Sequence, residues 1–412
     1  MKPVYIVSWL FALAISFVSC DDWLDKTPKD RLYPDVYFKT EDELRLFTNQ
    51  FYNNLVPSAV DIYSESSDLI VKSDLMLEMS GQRIIPDEGN GWNFTALRDI
   101  NFYLQYSHNC TEVNARNRYD GVARFFRAYF YFEKVKRYGD IPWYDKALDS
   151  DDPELYKARD SREFVMQKML EDLDFAIANL PKTKNAYVLT RWTALALKSR
   201  VCLFEGTFRK YHGLEDYEKY LNACVSASET FMNESGYTLY KSGSTPYRDL
   251  FASINLQADE VIFGRDYEAS LSVLHNVQNY ENSTTMGRPG MNKKIVNSYL
   301  MADGSRFTDK AGYETMTFDQ ECQNRDPRLA QTIRTPGYTR IGSTKKEAPN
   351  LAYTMTGYHL IKYSMTANYD EYNKSCNDIP LFRTAEVYLN FAEAKAELGT
   401  LKPVSYTHLT LP

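Results

Sequence analysis

Trp92 lies in Asp87-Glu88-Gly89-Asn90-Gly91-Trp92-Asn93, a glycine-rich polar segment in which an indole is hard to bury fully. A sugar needs a flat apolar face for its C–H surface and amide, guanidinium or carboxylate groups at the edge for its hydroxyls. Trp92, Asn93 and Arg98 supply that combination within seven positions. Two readings of Trp92 stand side by side, a platform for a saccharide and an anchor for helix packing. Tyr280 and Arg288, in a loop-rich stretch further on, are the other ligand-binding candidates, whereas Trp143 and Trp192 read as core. Catalytic signatures are missing: the chain has no Gly-x-Ser-x-Gly elbow, no His-Glu-x-x-His and no phosphate-binding glycine loop, so no catalytic residue is assigned. Paired glycosidase carboxylates are a tertiary feature that residue order does not reveal. His108, His212, His275, His359 and His408 are scattered, without metal-ligand spacing. Asp149-Ser150-Asp151-Asp152-Pro153-Glu154 offers carboxylates to calcium but carries Pro153 and Glu154 where an EF-hand loop needs its turn glycine, which favours a solvated loop and no cofactor.

A different chemistry is written at Cys20. An apolar run from Val4 to Val18 opens after Lys2 and ends in Ser19-Cys20. It is shorter than the roughly 20 residues a spanning helix needs and has the pattern of a signal peptide. Cys20 then reads as the acylated first residue of a mature lipoprotein, and multiple acyl chains anchor a protein stably to a membrane. The remaining cysteines, Cys110, Cys202, Cys224, Cys322 and Cys376, are odd in number and lack a Cys-x-x-Cys pair; most read as buried thiols, with Cys202 and Cys224 the one pair on neighbouring helices. A net charge of −7 over 412 residues repels a phosphate backbone, so nucleic acid is not an expected partner.

The elements that position these residues are mostly helical. Thr40 with Glu43 forms a capping-box pattern before a helix to about Leu55, with Leu44, Phe47, Phe51 and Leu55 on one face. A second helical cluster spans roughly 121–233. Its first helix runs from Val122 to Tyr138, and its second opens at an Asp160/Glu163 capping pattern and stops at Pro181. Its third carries the Trp192, Leu195, Ser199, Cys202 stripe to about Gly206, and its fourth carries Tyr220, Cys224 and Phe231. Small residues at the facing positions suggest tetratricopeptide-like hairpins, without a clean 34-residue signature. From about Lys241 to Ile379 the pattern loosens into long loops with a few short strands, Val261-Ile262-Phe263 among them, and a last helix covers Ala385 to Leu398.

Several segments together resemble the SusD/RagB family of outer-membrane nutrient-binding lipoproteins. They are Cys20-Asp-Asp-Trp-Leu-Asp25; Gly91-Trp92-Asn93-Phe94 through Leu97-Arg98-Asp99-Ile100-Asn101; and Arg127-Ala-Tyr-Phe-Tyr-Phe132 through Arg137-Tyr-Gly-Asp-Ile-Pro142. Asp303-Gly304, Arg325-Asp-Pro-Arg328 and Arg383-Thr-Ala-Glu-Val-Tyr-Leu-Asn-Phe-Ala-Glu-Ala394 continue the series. The resemblance implies a mostly α fold, a SusD-like α/α superhelix of tetratricopeptide-like hairpins whose loops present a glycan site. It also implies a non-catalytic role on the cell surface, capturing oligo- or polysaccharide for a SusC-like TonB-dependent outer-membrane transporter. Asp21, Asp22 and Asp25 resemble the acidic signal for surface export in such lipoproteins, or form a solvated tether. Alternatives are a peptide or other nutrient ligand in the same kind of transport pair, a lipid-anchored glycoside hydrolase, and a repeat-protein adaptor. The expected organisation is signal peptide 1–19, acylated tether 20–39, a SusD-like domain 40–399 that lacks part of its usual C-terminal helices, and a tail 400–412 that does not resemble the family and reads as a truncated reading frame or a junction with foreign sequence, with a natural short variant as the alternative.

Overall fold

A computed structural model describes residues 37–63, 68–86, 89 and 91–401. Cys20, the signal peptide and residues 402–412 lie outside the described residues, as do Asp87, Glu88 and Asn90. Seven longer helices form the scaffold: α1 (Glu41–Leu55), α2 (Thr95–Tyr106), α3 (Val113–Tyr138), α4 (Arg162–Asn179), α5 (Arg191–Tyr211), α6 (Tyr217–Glu234) and α7 (Thr384–Glu397). Four short strands, β1 (Ile70–Val71), β2 (Val261–Arg265), β3 (Gly290–Met291) and β4 (Ile379–Arg383), pair antiparallel as β1–β3 and β2–β4. No helix among the described residues is long and apolar enough to cross a membrane.

The capping chemistry at α1 forms as its residues dictate. Thr40 Oγ1 accepts from the Glu43 amide at 3.3 Å, and Glu43 Oε2 accepts from the Thr40 amide at 3.1 Å. At α4 the expected cap is displaced by one residue. Ser161 Oγ accepts from the Phe164 amide, while Asp160 is drawn away to accept from the Trp143 amide at 2.7 Å. Helix α3 begins at Val113, earlier than its apolar stripe suggests, because its first two turns are mainly polar. Helix α5 runs past Gly206 to Tyr211. A Cβ at Gly206 would lie 2.7 Å from the Leu221 side chain, so this glycine admits α6 rather than ending α5.

Consecutive helices pack in pairs, α3 on α4 and α5 on α6, with α1 and α2 on α3 and α7 closing against α6 and α5. The core between them is aromatic: Phe38, Phe51, Tyr103, Phe125, Phe126 and Tyr131 are fully buried. Each such ring contributes roughly 1.5–3 kcal/mol from burial. The Phe126 ring meets the edges of Tyr52 at 5.0 Å and Phe51 at 6.1 Å. Trp143 and Trp192 are buried as expected; Trp143 stacks on Tyr131 at 4.3 Å, and the Trp192 indole N–H donates to the Lys182 carbonyl. Cys202 and Cys224, which their neighbouring helices could have brought together as a disulfide, are free thiols; the Cys224 thiol donates to the Asn390 carbonyl of α7.

Between β2 and β4 the chain makes a loop-rich layer with short helices such as Val277–Glu281. Its two ends are held together: β2 pairs with β4 from Val261 opposite Arg383 to Arg265 opposite Ile379. Arg383 pairs with Glu260 at 2.6 Å, and Arg200 of α5 holds Glu386 of α7 in a two-pronged contact at 2.5 and 2.7 Å.

Candidate functional site

The quoted sequence motifs divide into those that build the scaffold and those that reach the surface. Arg127 belongs to the first group. Its guanidinium grips Asp172 of α4 at 2.6 and 2.8 Å and donates to Asn101 Oδ1 of α2 at 3.2 Å. The Asn101 amide in turn donates to the Tyr144 carbonyl at 2.8 Å. A buried guanidinium needs this many acceptors, and the fork geometry of arginine supplies the donors. Arg325 does the same in the loop layer, donating to the carbonyls of Val296, Tyr299 and Glu321 with its guanidinium carbon 3.9 Å from the Phe307 ring centre.

Trp92 reaches the surface. It sits ahead of α2 and remains 39% exposed, an unusual degree for the largest side chain. Its ring meets Phe94 and Tyr138 edge-on, with centroids 5.2 and 4.9 Å away, and the Arg159 guanidinium lies 5.0 Å from its centroid. The indole is thus packed against the end of α3 while more than a third of its surface stays open. Gly91 is needed for this approach. Its φ is +82°, and a Cβ there would lie 3.3 Å from the Tyr138 hydroxyl. Lys134 of α3 donates to the Gly91 carbonyl, and its ammonium lies 4.9 Å from the Phe130 ring centre. Burial, then the neighbouring Arg137 charge, holds the Lys134 pKa below its ordinary value.

The other candidates have different fates. Asn93 Oδ1 accepts from the Thr95 amide at 2.8 Å, so this amide group serves the start of α2. Arg98 is exposed on α2; its Nε donates to the Leu148 carbonyl at 3.1 Å and its guanidinium pairs with Asp149 at 3.8 Å. Tyr280 is buried at 5% exposure in Val277–Glu281, which leaves its ring no open face for stacking. Arg288, with φ at +51°, spends its guanidinium on the carbonyls of Leu351 and Ala352. Trp92, Asn93 and Arg98 thus share the entrance to α2, whereas Tyr280 and Arg288 belong to the loop layer. Sequence patterning missed Arg159, Lys134 and Tyr138 as members of the Trp92 surface. The i, i+4 spacing of Lys134 and Tyr138 on one helix carried a faint signal; Arg159 carried none.

The acidic stretch before α4 holds its own cation, since the Lys146 ammonium lies 3.7 Å from Asp152 and 2.9 Å from Glu154. No cluster of metal-binding side chains occurs among the described residues. A second polar centre, invisible in the sequence, lies inside the loop layer. The Glu281 carboxylate accepts from Ser364 Oγ at 2.8 Å, and burial raises its pKa to about 7. His359 accepts from the Asn350 amide at Nδ1 and donates from Nε2 to the Glu281 carbonyl at 2.9 Å; desolvation lowers its pKa to about 3. Arg340 spans Asp370, at 2.8 and 2.9 Å, and Asn282. Glu281 and His359 are closed off from solvent, so this centre braces the loops rather than meeting a ligand.

Known proteins resemble this chain along most of its length. A family model described as the SusD family matches residues 250–409, and one described as starch-binding associating with outer membrane matches residues 81–191. A SusD-like protein of Formosa agariphila is 26% identical over 427 aligned positions, covering 96% of this chain and 79% of that protein. A solved SusD-like protein from Bacteroides fragilis superposes with a TM-score of 0.74 at 22% identity, over 94% of this chain and 82% of the other. Another from the same species, titled a SusD-like carbohydrate binding protein, gives 0.68 at 17% identity over 88% and 75%.

Proposed function

We propose, on the premise that this chain belongs to the SusD/RagB family, that it is a non-catalytic, lipid-anchored cell-surface protein that captures oligo- or polysaccharide and passes it to a SusC-like TonB-dependent transporter. The observation that carries the glycan reading is the 39% exposed Trp92 held edge-on by Tyr138 and Phe94, a rigid aromatic surface with polar groups beside it. Such a surface binds without making or breaking a bond. Cys20 supplies the anchor and the acidic residues after it the surface address.

Titration of the purified chain against a panel of polysaccharides tests the binding step. Trp92→Ala is expected to weaken glycan binding about thirtyfold or more, in line with the roughly 2 kcal/mol or more that a central aromatic contributes. Undiminished binding by this variant would move the site elsewhere, and no binding to any glycan would remove the proposal. Cys20→Ala should release the chain from the membrane fraction, and co-purification with a TonB-dependent barrel from solubilised membranes tests the partner.

A further inference from the structure

The last turns of α3 hold the Trp92 segment at two different points. Tyr138 meets the indole itself, edge-on with centroids 4.9 Å apart. One turn earlier Lys134 reaches the backbone, its ammonium donating to the Gly91 carbonyl. That carbonyl is the pivot of a tight turn: it also accepts from the Asn93 amide at 2.9 Å, while the Trp92 amide donates to the Gly89 carbonyl at 2.9 Å. The peptide joining Gly91 to Trp92 sets the direction in which the indole leaves the chain. Glycine accepts either sign of φ, so a peptide plane beside Gly91, whose φ is +82°, turns over more readily than one flanked by two residues with side chains. A donor fixed to the carbonyl opposes that rotation. Lys134 is itself half-buried, its ammonium 4.9 Å from the Phe130 ring centre and 5.9 Å from that of Phe94, the ring that meets Trp92 at 5.2 Å. Attraction to these two rings keeps the ammonium at the carbonyl.

We propose that Lys134 is a positioning residue for the ligand surface at Trp92: it fixes the plane of the Gly91–Trp92 peptide and so presents the indole to a sugar in one orientation. This rests on the glycan reading above and adds to it a residue that acts through Trp92 rather than on the sugar. The contribution is preorganisation. A platform already set in its bound orientation loses little freedom when a saccharide arrives, whereas one that wanders must be ordered at that moment. Lysine suits the duty, because a long stem carries its three donors from the helix across to a backbone oxygen.

Lys134→Met keeps an apolar stem against Phe130 and Phe94 and removes the donor, whereas Lys134→Arg keeps a donor. Two measurements on the purified full chain compare them. The first is acrylamide quenching of the Trp92 emission, taken as the difference between each variant and the same variant carrying Trp92→Phe, because the chain has five tryptophans. The second is titration calorimetry with maltoheptaose, xyloglucan oligosaccharides and oligogalacturonides. Lys134→Met is expected to quench more steeply and to bind the responding probe about threefold to tenfold more weakly, the scale of ordering one mobile side chain. Lys134→Arg should return both readings toward the parent; an arginine variant that behaves like Lys134→Met overturns the hydrogen bond as the cause. Both variants should melt within about 3 °C of the parent, which separates positioning from unfolding. Parent-like quenching and binding by Lys134→Met overturn the positioning role, and a loss of binding confined to Trp92→Ala then keeps the glycan reading. Absence of binding to every probe, with the quenching change present, removes the glycan reading and keeps the placement of the indole by Lys134.

Discussion

Arg127 shows how a residue in a recognisable motif can be purely structural. Its partner Asp172 is almost fully enclosed; the Arg127 guanidinium grips both of its carboxylate oxygens, and Arg124 lies 3.6 Å from one of them. Asp172→Asn is expected to cost about 3–5 kcal/mol, because it strands a buried cation rather than removing one contact. Asp42→Asn, which breaks the exposed pair with Arg45 at 3.2 Å, should cost under about 1 kcal/mol. Urea unfolding of the two variants separates these outcomes, and equal effects would contradict the burial argument. At this scale the sequence exposed the types of residue but not their duties. Trp92 stood out because glycine and acidic neighbours give an indole nowhere to hide. Arg159 did not, since its position over the indole depends on the return of the chain after Pro153. Tyr280 was misplaced for the converse reason: a loop-like composition around it folded into a short helix that buries the ring.

At the scale of elements, the helices were legible and their junctions were not. Apolar spacing and caps located α1, α4, α5, α6 and α7 to within a few residues, since a helix is a local structure whose period is written in its own stretch. The β2–β4 pair was half visible, as Val261-Ile262-Phe263, because the strand that completes it lies more than a hundred residues away. Its closeness explains Gly264. A Cβ there would stand 2.6 Å from the Ile379 carbonyl oxygen and 2.7 Å from Leu256. Gly264→Ala is therefore expected to destabilise by about 1–3 kcal/mol, since the obstacle is backbone that cannot rotate aside. Gly206→Ala meets the Leu221 side chain at 2.7 Å but backbone only at 3.1 Å, and should cost less. Thermal melts of both variants decide the order, and a milder effect at Gly264 would show that the strands part easily.

For the whole molecule, the buried polar groups of the loop layer set a pH dependence. His275 and His359 are held neutral, with pKa lowered to about 4 and about 3 from the ordinary 6.5. In both, desolvation is the main cause. Unfolding frees them to take protons, so each withdraws stability as pH falls from 6.5 toward its folded value. Glu281, raised to about 7, and Asp378, raised to about 6, act with the opposite sign. Each binds protons more readily folded than unfolded and adds stability as pH falls to about 4.5 and 3.8, respectively. The two sets offset between about pH 6.5 and 4.5, and below that the histidines prevail. Unfolding midpoints are expected to be nearly level across the upper window and to drop steeply below about pH 4.5; His359→Gln should soften that drop, and an unchanged slope would count against it. Charge alone could not reveal this, because burial of Glu281 and His359 is a property of the assembled loops. The clasp of β2 on β4 has a last consequence, in evolvability. A segment whose two ends are pinned side by side can lengthen or change its content at little thermodynamic cost, since doubling a closed loop adds only about 0.6 kcal/mol. Exposed turns within residues 266–378 can thus vary in length while α1–α7 keep one another's company, whereas β3 stays tied to β1 outside the segment.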